Sequence, residues 1–173
     1  MTNYFELFDL PVSFSPPKDA VRKKYVELSK QHHPDHFAQA DDKAQAKALE
    51  VSAEVNKALK IFNNRQAVIK YVLELKGLLD NEEKYALSPH FLMEMMEINE
   101  KVADLSFDSD PTEKQNIQQQ LVLFENEIYE PVAAIVENYK EGVTTPGELL
   151  QVKEYYFKKK YLARIHGALG GML

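Results

Sequence analysis

The 173-residue chain contains no cysteine. That excludes disulfides, thiolate metal sites and cysteine-ligated iron–sulfur clusters on this chain, and it agrees with a reducing, cytoplasmic location. No apolar run approaches the roughly 18 residues of a membrane span. The opening residues, Met1 to Glu6, lack the basic region and apolar core of a signal peptide. Basic charge is also in short supply. A net charge of -6 and a pI near 5.4 argue against general nucleic-acid affinity, which needs a strongly basic surface. Glycine is scarce, with 6 in the chain. No alternating apolar–polar run is long enough for a strand. There is no glycine-rich phosphate loop after a strand, no nucleophile elbow and no His-Glu-x-x-His metal helix, so no catalytic constellation is expected. No internal repeat or low-complexity segment is seen.

What is present is helical patterning punctuated by proline. The 45% hydrophobic fraction is enough for a packed core, and 28% charged residues suits a soluble protein. Ser15-Pro16, Ser88-Pro89, Asp110-Pro111 and Thr145-Pro146 each place a capping residue before a proline preorganised for the first helical turn. Glu113 and Glu148 stand at capping-box positions of the last two. The chain is read as all-α.

In residues 16–33 the apolar face is Val21, Tyr25, Leu28 and His32. Arg22, Lys23, Val26, Lys30 and His33 project from the other side. Residues 42–62 carry Ala48, Val51, Val55, Leu59 and Phe62 on one face. These two stripes are expected to pack as an antiparallel helical hairpin. Proline disfavours the helical conformation of the residue before it, so the first helix should stop near His33 and present an exposed His33-Pro34-Asp35 turn at the tip. A short helix with Val68, Tyr71, Val72 and Leu75 follows, with Gly77 as its stop. Tyr4, Phe5, Leu7, Phe8 and Leu10 should pack across the hairpin. The predicted domains are 1–76, a polar linker at 77–88, and a three-helix bundle over 89–173. Its helices are expected at 89–105, 111–141 and 146–169, with Pro131 kinking or splitting the middle one.

The basic face and the turn read as a docking element. The cations would meet an acidic partner, and the Asp35 carboxylate could accept charge-assisted hydrogen bonds from a partner arginine. In 89–105, Phe91, Met95, Ile98, Val102 and Leu105 make a complete core stripe. That leaves Leu92, Met93 and Met96 around the helix, with Glu97, Glu100 and Asp104 beside them. They form either a protein-binding patch or a surface covered by the last helix, and periodicity does not choose between these. Phe157 reads equally as an extension of that patch or as core. His32, His33 and His36 invite a metal reading. Pro34 breaks their spacing and His32 falls on the core stripe, so metal binding is disfavoured. Lys158, Lys159, Lys160 and Arg164 form either an anion site or, the favoured reading, a solvated face balancing acidic helices.

Tyr4-Phe5-Glu6-Leu7-Phe8, the basic helix, the His33-Pro34-Asp35 turn and the helix after it resemble a J domain. Asn56-Lys57-Ala58, Tyr71 to Gly77 and Phe91-Leu92-Met93-Glu94 resemble the HscB family, the J-domain co-chaperones of iron–sulfur cluster assembly. The resemblance covers essentially the whole chain. It implies a protein with no enzymatic activity and no cofactor of its own. It also implies two partners, a DnaK-type (HscA-like) chaperone ATPase and an IscU-like iron–sulfur scaffold protein. By the same resemblance, Arg22, Lys23, Lys30, His33, Pro34 and Asp35 would contact the ATPase. Leu92, Met93, Met96, Glu97, Glu100 and Asp104, with Phe157, would hold the scaffold. Met96 stands where the family pattern has leucine, and Asp104 where it has glutamate; both keep the chemical character. The rival readings are a J-domain protein serving another client, and a small helical metal-binding or regulatory protein.

Overall fold

The computed structural model describes residues 2–80, 83–105 and 110–170. Every regular element among them is helical: α1 (Tyr4–Leu7), α2 (Lys18–Gln31), α3 (Asp42–Phe62), α4 (Arg65–Leu75), α5 (Pro89–Asp104), α6 (Pro111–Tyr129), α7 (Ala133–Glu137) and α8 (Pro146–Gly170). Two 3-10 turns, Pro34–Phe37 and Glu130–Val132, interrupt the series. The chain divides into two compact units. The first comprises residues 1–76 with 139–143, and the second comprises 77–138 with 144–173.

In the first unit α2 and α3 form the expected hairpin. Val21 and Leu28 of α2 and Ala48, Val55, Ala58 and Phe62 of α3 are buried. Tyr25 Oη donates to Asn56 Oδ1 at 3.1 Å across the pair. α2 begins at Lys18 rather than at Ser15-Pro16. Pro17 explains the delay: it bars Pro16 from the helical region, so the helix starts only after the second proline. The stripe on α3 also turns slightly from the expected face. Ala58 is fully buried, whereas Leu59 is only half-buried.

α1 closes this core. Asn3 caps it, accepting from Phe5 N at 3.0 Å. Phe5 and Phe8 pack on Phe62, with ring centroids 5.0 and 5.2 Å away. Tyr4 N donates to Tyr71 Oη at 2.8 Å, and Tyr4 Oη donates to Glu54 Oε2 at 3.1 Å. Burial and the neighbouring Glu54 carboxylate push the Tyr4 phenol up to about 12. α4 ends at Leu75, and Gly77 follows with a φ of 67°, a left-handed conformation that suits glycine. The first unit is completed from a distance in sequence. Tyr139 lies edge-on to the buried Phe14 at 5.2 Å, Tyr139 Oη donates to Glu141 Oε2 at 2.7 Å, and Glu141 pairs with Lys76.

The second unit is a bundle of α5, α6 with α7, and α8. Its core joins Phe91, Met95, Ile98, Val102 and Leu105 to Ile117 and Leu121 of α6 and to Leu162, Ile165 and Leu169 of α8. Ser88 Oγ accepts from Phe91 N at 3.2 Å, and Asp110 Oδ1 accepts from Thr112 N at 2.9 Å. The Thr145 box is reciprocal: Glu148 N donates to Thr145 Oγ1 at 3.2 Å, and Thr145 N donates to Glu148 Oε2 at 2.7 Å. Pro131 splits the middle helix into α6, a 3-10 turn and α7. The helical run ends at Glu137, short of the expected residue 141, because the chain leaves there to join the first unit.

Candidate docking surfaces

The first surface is built on the end of α2. The helix stops at Gln31, with His32 as its C-cap, and the backbone becomes extended at His33 (φ −64°, ψ 129°). Pro34 then opens the 3-10 turn. His33 is the cap of that turn, its Nδ1 accepting from Asp35 N at 3.3 Å. A neutral ring in this role carries its proton on Nε2. Asp35 Oδ2 lies 3.4 Å from the same Nδ1. The Asp35 side chain is 89% exposed and that of His33 55%, so carboxylate and imidazole are both presented outward. Arg22, Lys23 and Lys30 are exposed on α2, with exposed Val26 among them. At 1.5 Å per residue, these cations span about 12 Å of helix leading to the turn. Lys24 differs: it is bound to Asp9 at 2.5 Å and to Glu27 at 2.9 Å, and these partners raise its pKa.

The second surface is the outer face of α5. Met93 is 62% exposed and Met96 57%, while Met95 between them is fully buried. Glu97, Glu100 and Asp104 are exposed along the same helix. α8 leaves both methionines uncovered, so the last helix does not bury them. Leu92 is half-buried and faces a groove of about 460 Å³ that Phe157 of α8 also lines. Phe157 is neither plain core nor plain surface. Its ring stacks on Tyr85 at 4.7 Å with planes 6° apart, and Tyr156 lies edge-on to it at 5.2 Å. Tyr85 was not picked out from the sequence. It sits in a polar connection, and only its aromatic ring close before the Ser88-Pro89 cap could have flagged it. Lys153 of α8 holds this connection through Glu83 at 2.5 Å, and that bond lowers the Glu83 pKa.

The remaining candidates come apart. His33 and His36 have ring centroids 6.2 Å apart, but no group of three or more histidine or acidic side chains among the described residues is arranged to hold a metal. Lys158 and Lys159 pair with Glu154 at 2.9 Å and Glu125 at 2.7 Å. Burial acts to raise the Glu125 pKa, but Lys159 and His166 outweigh it and the net shift is downward. No helix among the described residues is long and apolar enough to cross a membrane.

Comparison with known proteins adds to this geometry. Residues 87–170 match the family model described as the HSCB C-terminal oligomerisation domain. Over 167 residues the chain is 30% identical to the co-chaperone protein HscB homolog of Vibrio cholerae, covering 94% of this chain and 92% of that one. The Pseudoalteromonas atlantica homolog is 37% identical over 110 residues, 63% of each chain. Among solved structures, human co-chaperone protein HscB superposes with a TM-score of 0.80 at 25% identity, covering 98% of this chain and 81% of the human one. Chaperone HscB from Vibrio cholerae gives 0.74 at 24% identity, over 98% and 96%.

Proposed function

The chain belongs to the HscB family of co-chaperones, and from that premise we propose that it delivers an iron–sulfur scaffold protein to a DnaK-type chaperone ATPase and stimulates ATP hydrolysis there. The observation that carries this reading is the outer face of α5. Two methionines more than half exposed, edged by Glu97, Glu100 and Asp104, make an apolar patch with an acidic border on a bundle whose own core is already complete. Large exposed apolar groups rimmed by charge mark protein-binding sites, and methionine adapts to irregular partner surfaces.

In this reading α5 holds the scaffold through Leu92, Met93, Met96, Glu97, Glu100 and Asp104, with Phe157 at the edge. The ATPase docks on the other unit through Arg22, Lys23, Lys30 and the His33-Pro34-Asp35 turn. The cations speed encounter with an acidic ATPase surface, and the exposed Asp35 carboxylate accepts hydrogen bonds from a basic group there. Carrying both sites on one chain raises the client's effective concentration at the ATPase. The chain performs no chemistry itself: hydrolysis belongs to the ATPase and the cluster to the scaffold. Its proposed setting is the cytoplasm, with HscA-like and IscU-like partners.

The test is single-turnover ATP hydrolysis by a DnaK-type chaperone, with this protein and the scaffold added separately and together. The expected result is stimulation by the pair beyond the sum of each alone. Asp35→Asn should abolish it while leaving scaffold affinity unchanged, and raising salt should weaken it. Full stimulation by Asp35→Asn would remove the turn from the docking site. Stimulation with no scaffold effect would point to a different client.

A further inference from the structure

The cations of α8 fall into two classes. Lys153, Lys158 and Lys159 are each held by a carboxylate, Glu83, Glu154 and Glu125 respectively. Lys160 and Arg164 are exposed, and neither has an ion pair among the described residues. They stand four residues apart and so share one helix face. Both line the groove beside α5, whose apolar wall is Leu92, Tyr85, Phe157 and Tyr161. Lys84 adds a third cation, and among the described residues the one acidic side chain lining the groove, Glu83, is neutralised by Lys153.

Leu92 is therefore shared. It belongs to the α5 patch, whose far edge is acidic, and to this groove, whose edge is basic. The charge of the surface reverses across it. A partner that covers both halves must carry the opposite reversal. Like charges brought together at an interface are strongly disfavoured, so such a surface selects one orientation.

We propose that the groove takes an acidic stretch of the scaffold protein, one apolar side chain of it resting against Phe157 and Leu92 and its carboxylates meeting Lys160 and Arg164. The planar guanidinium of Arg164 suits two-point contact with a carboxylate. The groove then fixes the direction in which the client lies across the bundle, while the methionines supply most of the contact. This rests on the reading of α5 as the client site.

The experiment is calorimetric titration of the full chain with purified iron–sulfur scaffold protein at low and at high salt. Three variants are compared with the parent: Lys160→Glu with Arg164→Glu, Lys160→Gln with Arg164→Gln, and Met93→Ala with Met96→Ala. The charge-reversed chain should bind at least tenfold more weakly at low salt, the glutamine chain by an intermediate factor, and both gaps should narrow at high salt. All four positions are exposed or near the surface, and circular dichroism of each variant verifies the fold. If reversed and glutamine variants bind with the parent's affinity while the methionine variant is weakened, the groove proposal is wrong and the α5 site stands. If the methionine variant binds like the parent, the α5 reading fails and the groove proposal falls with it.

Discussion

Three methionines in one turn of α5 offer a direct test of which face does what. Met95 is fully buried, whereas Met93 and Met96 are 62% and 57% exposed. Truncating Met95 to alanine opens a cavity in the bundle core and should cost about 2–5 kcal/mol of stability. Truncating Met93 and Met96 removes contacts with solvent and should change stability by no more than about 0.5 kcal/mol. Binding should show the reverse order. Burying a methionine fully stabilises by about 1.5–3 kcal/mol, and the exposed fractions leave somewhat over half of that to be gained on docking. That is about 1–2 kcal/mol each, or about 2–4 kcal/mol for the pair, which raises Kd roughly 30- to 700-fold. Urea unfolding followed by circular dichroism gives the first quantity, and calorimetric titration with the scaffold gives the second. If Met93→Ala with Met96→Ala lowered the unfolding midpoint as Met95→Ala does, and left Kd per folded molecule unchanged, the exposed face would be part of the fold and the reasoning would be refuted.

Three further outcomes concern stability alone. Thr145→Ala removes the reciprocal cap of α8 and should cost about 1 kcal/mol in a denaturant titration. The bond from Thr145 N holds the Glu148 carboxyl below the usual carboxylate range, so its contribution is full above that range and is lost as pH falls through the lowered value. Unfolding midpoints of the parent should therefore drop more steeply in acid than those of Glu148→Gln. At the other end of the scale, the raised Tyr4 pKa means that its neutral form is favoured by the fold. That stability is complete below about 10 and disappears as pH rises through about 12, so Tyr4→Phe should flatten the alkaline limb of the midpoint curve.

The parts of this structure that were legible in the sequence are those governed by neighbours along the chain. The α5 stripe is buried residue for residue, because a 3.6-residue period needs only local spacing to be read. The caps at Ser88, Asp110 and Thr145 and the break at Pro131 follow equally from local backbone chemistry. The failures are instructive in the same terms. Ser15-Pro16 has the form of a helix start, yet a second proline delays it, and that effect too was local and readable. Ala58 is buried more fully than Leu59, and which side of α3 meets its neighbours is settled by packing that no property of α3 alone reveals. Tyr85 and Phe157 are 72 residues apart and meet only in the folded chain. The basic face of α2 and the bare methionines of α5 were legible as patterns. That α8 leaves the methionines open was a question of packing.

The placement of residues 139–143 has a practical consequence for anyone who would cut this protein into pieces. A fragment ending at residue 76 keeps the His33-Pro34-Asp35 turn and looks like a whole J domain. It lacks the ring that covers Phe14, which is only 1% exposed in the intact chain, and it strands the charge of Lys76 without Glu141. Such a fragment is an unfinished object, with a phenylalanine newly open to solvent and to other copies of itself. Rates measured on it would mix the behaviour of the turn with that of a damaged support. A faithful excision carries the distant strip along, grafted on by a short linker, or leaves the chain whole and silences the second unit by substitution on α5.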